Sequence, residues 1–392
     1  MNPGLLRLIL AQVCLHAAMT GTRLAAPLLA LRDGYSPAAV GMLLALFALT
    51  QVFLALPAGR FADRHGLRLP LTIAVTAATA GAALAGAWPV FPVLCLAALL
   101  TGGATGIAVI ALQRHVGRAA TNPTQLKQVF SWLAIAPAAA NFVGPFATGL
   151  LIDHAGPVPG DLAGFRTAFA LLALLPIACW LLARGTVELP LVQPVAGAPR
   201  PRAWDLLGQP MFRRLLFVNW LQSAAWDVHT FVLPLLGHER GLSASMIGSI
   251  LGAFAVAAAG IRVVLPMVAS RASERSVITA SNVVTALVFA VYPLMSSALG
   301  MGACSVVLGI ALGAVQPMVM SMLHQITPHA RHGEALGLRV MTLNASSVAM
   351  PMLFGAAGAL IGVAGVFWIV GGVVALGTPA VRKLEAGGAH RE

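Results

Sequence analysis

The chain is poor in charge. Asp, Glu, Lys and Arg make up 9% of its 392 residues, and only 12 residues are acidic. A soluble domain carries about 25% charged residues, so this composition excludes a soluble enzyme. Disorder is excluded too, because disordered chains lack apolar residues and this one is 59% hydrophobic. Cysteine is scarce: Cys14, Cys95, Cys179 and Cys304 all lie inside apolar runs, so neither a disulfide framework nor a metal cluster is expected. The sequence has no G-x-x-x-x-G-K-[ST] loop, and hence no sign of ATP drive. It also lacks the paired acid–base or metal constellation that a membrane-embedded enzyme would need. No enzyme activity and no cofactor are expected.

What is present is long apolar runs separated by short basic gaps. The net charge of +12 could suggest nucleic acid as a partner, but basic residues confined to such gaps follow the membrane pattern. A spanning helix needs about 20 mostly apolar residues, and roughly 33 residues per span and connection give about twelve spans. They are placed at 5–31, 36–57, 69–88, 91–113, 127–152, 165–184, 212–236, 244–268, 277–298, 301–324, 335–360 and 363–380. The first run is too long for a cleaved signal peptide and lacks a convincing cleavage site. The expected fold class is an all-α polytopic membrane protein with twelve transmembrane helices in two pseudo-symmetric six-helix bundles.

Orientation follows from Lys and Arg. With the N-terminus inside, Arg32, Arg166 and Arg240 fall outside, Arg23, Arg262 and Arg339 fall within spans, and the other 18 of the 24 face the cytoplasm. The positive-inside rule therefore predicts cytoplasmic termini, in a bacterial-type inner membrane. The Pro-rich interval at 185–211 reads as a cytoplasmic linker between bundles at 1–184 and 212–392.

The two halves match. "PLLALRDGYSPAAVG" (27–41) aligns with "PLLGHERGLSASMIG" (234–248), placing Gly34 on Gly241 and Ser36 on Ser243, where each serine can cap the next helix. A weaker match sets "GLLIDHAG" (149–156) on "GALIGVAG" (358–365). Duplicated bundles with a solute site near mid-membrane are how many secondary transporters are built. In the first span Gln12, His16, Thr20, Arg23 and Pro27 fall within about 80° of one helix face. Their partners in the repeat are Asn219, Ser223, Asp227, Thr230 and Pro234. Polar groups are costly in lipid, so each stripe faces inward and either lines a cavity or bonds neighbouring helices. The same choice holds for Gln51, Asn141, Gln222, Gln316 and Asn344. Trp220, Trp226, Phe231 and Met320 would suit an amphipathic organic molecule, or they are ordinary packing.

Residues 59–68 read Gly-Arg-Phe-Ala-Asp-Arg-His-Gly-Leu-Arg. This resembles the G-x-L-A-D-R-x-G-R-R signature of the major facilitator superfamily, at its expected place between spans two and three. Gly59, Asp63, Arg64, Gly66 and Arg68 match; Phe61 and Leu67 depart from it. The resemblance implies the twelve-span fold of that superfamily and a cytoplasmic gate, with Asp63 against the N-terminus of span eleven near residue 335 and Arg339 one turn further in. A carboxylate at a positive helix end is physically favourable. In the second half the equivalent loop keeps Arg271 but has Ser270 at the position of the acid. Gly144, Pro145 and Gly149 resemble part of the antiporter motif of proton-driven drug exporters in the superfamily, although other glycines of that motif are missing. Close helix packing is the alternative reading.

Asp227 is the one clear acid within the spans, and intramembrane charges are functional candidates. It is expected to carry proton coupling or to pair with Arg23, with His16 as an alternative proton carrier. A permanent structural salt bridge is the competing reading. His229 is expected to contact a neighbouring helix. Arg262, close to a cytoplasmic end, could snorkel, pair with the gate or line the cavity. Arg23 with His16 suits a solute bearing an anionic group. The resulting expectation is a monomeric secondary transporter in the lipid bilayer, exporting a small anionic or amphipathic organic compound in exchange for protons. Proton-symport uptake of an organic acid and solute sensing are the alternatives. No metal and no nucleic acid are expected.

Overall fold

The computed structural model describes residues 3–35, 37–158, 160–190, 203–242, 244–268 and 273–384. Among these residues the regular structure is entirely helical. The α-helices are α1 (Pro3–Arg32), α2 (Pro37–His65), α3 (Arg68–Ala87), α4 (Phe91–Ala119), α5 (Pro123–Leu133), α6 (Ile135–His154), α7 (Leu162–Ala183), α8 (Pro210–Glu239), α9 (Ala244–Val268), α10 (Glu274–Val291), α11 (Ala298–Ile326) and α12 (His332–Arg382). Short 3-10 turns occupy Ala203–Gly208, Tyr292–Leu294 and His329–Arg331.

The expected fifth span is two helices that meet at Ala134. The expected eleventh and twelfth spans form the single stretch α12, broken at Gly362, whose φ of 76° leaves the helical region. Ten helical stretches among the described residues are long and apolar enough to cross a membrane by length and composition.

One expectation needs correction. Residues 59–65 are not a loop but the last two turns of α2, and the chain turns only at Gly66, with φ 74°. Nothing between Ala58 and His65 breaks a helix, and Gly66 adopts the left-handed backbone a helix stop favours. Ser36, Ser243, Ser270, Arg271 and linker residues 191–202, for which the sequence set expectations, lie outside the described residues, as do the side chains of Phe231 and Pro234.

Compact packing divides the described residues into two units. Unit one draws on Met1–Ala119, Ile135–Pro199 and His329–Asn344; unit two draws on Ala120–Ala134, Arg200–Pro328 and Ala345–Glu392. Thus α5 belongs to unit two, and the start of α12 to unit one. The core of unit one is mostly alanine and leucine with a few phenylalanines, built on Ala26, Leu29, Leu43, Phe47, Ala97, Phe169 and Leu172. Unit two is more aromatic, with Phe254, Phe289, Tyr292 and Phe367 at its centre.

Helix starts are specified locally. Asn122 accepts from the amide of Gln125 with Pro123 in the first turn of α5, Asp161 accepts from Gly164, and Ser273 and Ser297 do the same for α10 and α11. Gly34 and Gly241, which the repeat places on one another, both take left-handed backbone, at φ 83° and 71°. Buried hydroxyls satisfy themselves on their own helices, as Thr22 does on Ala18 and Thr101 on Ala97. The four cysteines are free thiols.

Candidate functional site

The most complete polar constellation in unit one is centred on Asp63, at the end of α2. Its Oδ1 accepts from Arg114 Nε at 2.6 Å and from the amide of Gly333 at 2.9 Å; its Oδ2 accepts from the amide of Glu334 at 3.0 Å. Arg114 Nη2 also reaches the Asp63 carbonyl at 3.3 Å. Gly333 and Glu334 sit in the first turn of α12, where amides have no partner within their own helix. Asp63 therefore caps α12 from another helix, with its charge at the positive end of the dipole. Arg114 is 2% exposed and Asp63 9%, so the pair is shielded from water.

A second layer reinforces the first. Glu334 accepts from Arg60 Nε at 2.9 Å through Oε1, and from Arg331 Nε at 2.8 Å through Oε2. Close approach comes from glycine: a Cβ on Gly59 would run into the carbonyl of Gly333, and one on Gly337 into the backbone of Ala55 and Leu56. Small residues let two backbones meet in this way.

The turn after α2 is held from the other side. Glu188 accepts from the amides of Leu67, through Oε1, and of Arg68, at 3.2 Å through Oε2, so it caps α3. Arg68 Nη2 donates to the carbonyl of Thr186 and Arg118 Nη2 to that of Pro190. Gly66 packs on the Glu188 carboxylate. Arg64 points outward and is exposed, whereas Arg339 is buried in unit one.

The α1 stripe is mixed in character. Gln12 is buried and its Oε1 has no hydrogen-bond partner among the described residues, nor has His16 Nδ1. The Asn141 side chain is a hydrogen-bond partner of His16. Thr20 donates to the carbonyl of Ala140 at 3.0 Å and so serves packing, while Arg23 and Asn141 are exposed. Gln51 lies against Gly106, and Asn344 bonds the Val340 carbonyl of its own helix. Gly144 packs directly on Ala17 and Thr20 of α1; Pro145 lies inside α6, and nothing is near Gly149. Gly144→Val is expected to cost about 1–3 kcal/mol through overpacking, and Gly149→Val about 0.5 kcal/mol or less, read as thermal unfolding in detergent.

In unit two, Asp227 is half-buried on α8, and its Oδ2 has no hydrogen-bond partner among the described residues. Asn219 is buried, Ser223 and Gln316 are half-buried, and Thr230 bonds back to Trp226 and Asp227 carbonyls. Gln222 is structural: its amide donates to Asn282, which donates to the Val374 carbonyl and to Thr378. His229 is fully buried, bonded to Ser305 Oγ at 2.9 Å and stacked on Phe254, so it joins helices as expected.

Arg262 neither snorkels nor pairs with an acid among the described residues. Its Nη1 donates to the carbonyl of Ala134 at 2.9 Å and its Nε to that of Gly313 at 3.3 Å, and its guanidinium lies over Trp226. Both carbonyls are at helix discontinuities. Ala134 is the break between α5 and α6, and Gly313 is four residues before Pro317, which has no N–H to offer it. Sequence reading missed Arg114, Glu334 and Glu188 as partners of the signature. Among the described residues, no group of three His, Cys, Asp or Glu side chains could hold a metal ion.

The family model of the Major Facilitator Superfamily matches the chain twice, over residues 8–214 and 215–390. No curated protein matches it. Among solved structures, a bacterial homologue of the iron transporter ferroportin in an outward-facing state aligns with a TM-score of 0.79 at 17% identity, covering 98% of this chain and 99% of its own. The human organic anion transporter MFSD10 (TETRAN) aligns with a TM-score of 0.76 at 16% identity, over 97% and 100% of the two chains. These likenesses concern the fold.

Proposed function

From the premise that the chain belongs to the major facilitator superfamily, we propose a twelve-span secondary transporter working by alternating access. In this reading it is a monomer of a bacterial-type inner membrane with both termini in the cytoplasm, and it exports a small anionic or amphipathic organic compound in exchange for protons. The observation that carries the reading is the Asp63 carboxylate seated on the first free amides of α12 and on the buried Arg114. Those bonds are made to one helix end at one distance, so they hold when that end is docked and vanish when it leaves. Such a two-state contact is what a gate requires.

Solute and coupling rest on groups with unmet bonding capacity. Gln12 Oε1 and His16 Nδ1 in unit one and Asp227 Oδ2 in unit two are buried without a hydrogen-bond partner among the described residues. Buried polar atoms of this kind call for a solute, a proton or water. Arg23 and His16 favour an anionic group, and a fold-level relative is an organic anion transporter. Asp227 is the acid available to bind a proton. Gly144 and Pro145 on α6 favour export by resemblance to the antiporter motif.

Proton movement in everted membrane vesicles containing a pH-sensitive dye tests this reading. An anionic organic compound is expected to discharge the acid interior, and Asp227→Asn to reduce that response at least about ten-fold, the scale expected of a lost coupling acid. Discharge by cations alone would overturn the charge assignment. Absence of any response would favour symport uptake or sensing.

A further inference from the structure

In unit one, α1 and α7 are the first and sixth membrane-length helices in chain order, so they run antiparallel. One close approach fixes their register: a Cβ on Gly21 would run into the side chain of Leu172. On antiparallel helices a step forward along one is a step backward along the other. Gly21 on Leu172 therefore sets Ala25 opposite Ala168, Ala18 opposite Leu175 and Cys14 opposite Cys179. Steps of three and four residues keep these positions on one helix face, drifting by only about 20° per seven residues. Burial agrees with this. Ala18, Ala25, Ala168 and Leu172 are wholly buried, and Leu175 packs against the core of unit one. The thiols of Cys14 and Cys179 lie within electrostatic reach of one another.

The two thiols differ in access. Cys14 is half-buried, whereas Cys179 is wholly buried. Ala18, Gly21 and Ala25 leave the α1 side of the contact small, which lets two backbones approach closely. A disulfide needs such an approach, with Cα atoms about 4.4–6.8 Å apart. Neither of the other cysteines shares the place. Helix α4 runs parallel to α7, so Cys95, in the second turn of α4, and Cys179, in the last turn but one of α7, stand at opposite ends. Cys304 belongs to unit two.

We propose that Cys14 and Cys179 are a redox-active pair, with Cys14 as the attacking thiol and Cys179 as the resolving one, that closes to a disulfide on meeting a small uncharged organic disulfide. Cys14 loses its proton, and its sulfur attacks one sulfur of the reagent. The reagent's S–S bond breaks, and the expelled thiolate takes up a proton. A mixed disulfide is left on Cys14. The Cys179 sulfur then attacks the Cys14 sulfur, and the second half of the reagent leaves as a thiol. Two electrons pass from the cysteines to the reagent, which is reduced to two thiols. The new bond ties α1 to α7 and holds the stretch of α1 that carries Gln12 and His16, two residues to either side of Cys14. A charged reagent is excluded, since the thiols lie among apolar groups.

The test treats the full-length protein in lipid nanodiscs with dithiodipyridine, reading released thiopyridone by absorbance and the chain by mass spectrometry. With Cys95→Ser and Cys304→Ser in place, two thiopyridones are expected per chain, no pyridyl group retained and two hydrogens lost. Adding Cys179→Ser should release one thiopyridone and leave one pyridylthio group on Cys14. Adding Cys14→Ser instead should slow release at least about ten-fold, because a buried thiol is inert. The unsubstituted chain gives the same reading without any variant: after trypsin, residues 8–23 are expected linked to residues 167–184. Two retained pyridyl groups in the chain that keeps only this pair would overturn the proposal. So would a link from Cys14 or Cys179 to Cys95 in the unsubstituted chain. Hydrogen exchange over residues 8–23 is expected to slow about ten-fold on oxidation and to recover with reductant. Unchanged exchange would overturn the hold on α1.

Discussion

Asp63→Asn is expected to speed hydrogen exchange at the amides of Gly333 and Glu334 by about a hundred-fold and to reduce transport by a similar factor. Asparagine keeps the size of the side chain, so packing changes little. It removes the negative charge from the N-terminus of α12 and leaves Arg114, 2% exposed, without its counter-ion. Removing one partner of a buried pair costs about 3–5 kcal/mol, enough to shift a balanced two-state equilibrium almost entirely to the released state. Transport falls because the cycle can no longer populate its cytoplasm-closed form. The measurement pairs exchange mass spectrometry with solute flux. Unchanged protection at 333 and 334 would show that Asp63 does not hold the helix end.

Gly59→Ala is the second large effect, and it reaches the same gate by a different force. A Cβ there would overlap the carbonyl of Gly333, which is backbone and cannot rotate aside. The two helices must separate by a fraction of an ångström, which lengthens every bond from Asp63 to α12. A loss of transport by about ten-fold or more is expected, at a cost of roughly 1–3 kcal/mol in the docked state. Gly372→Ala is the control, because nothing lies within contact distance of a Cβ there. If both alanine variants transport alike, the close approach at Gly59 has no part in gating.

The two gate substitutions also show which parts of the site could be read from sequence. Asp63 was legible because the residues around it, Gly59, Arg64, Gly66 and Arg68, form a compact string. Arg114 was not, because its link to Asp63 is a matter of how α4 packs on α2, and in the sequence it is one of several basic residues at helix ends. Glu188 gives no signal at all: it caps α3 from 121 residues away, through the amide of Leu67.

The helices themselves were legible because an apolar run of about 20 residues has few other uses. Hydropathy alone located neither the end of α2 at Gly66 nor the break at Ala134, since both depend on backbone conformation. Arg262 shows the limit most clearly. An arginine within a span reads as a functional charge, yet here it satisfies the carbonyl that Pro317 leaves without a donor. That need arises on α11 and cannot be seen from the sequence of α9.

We propose that a proton gradient drives an organic anion through this protein. The direct measurement is accumulation of a radiolabelled aromatic carboxylate in proteoliposomes of the purified chain, under an imposed pH gradient. Accumulation above the external concentration, abolished by a protonophore and by Asp227→Asn, is the predicted result. Equal, non-concentrative entry with and without the gradient, unaffected by Asp227→Asn, would contradict proton-driven transport.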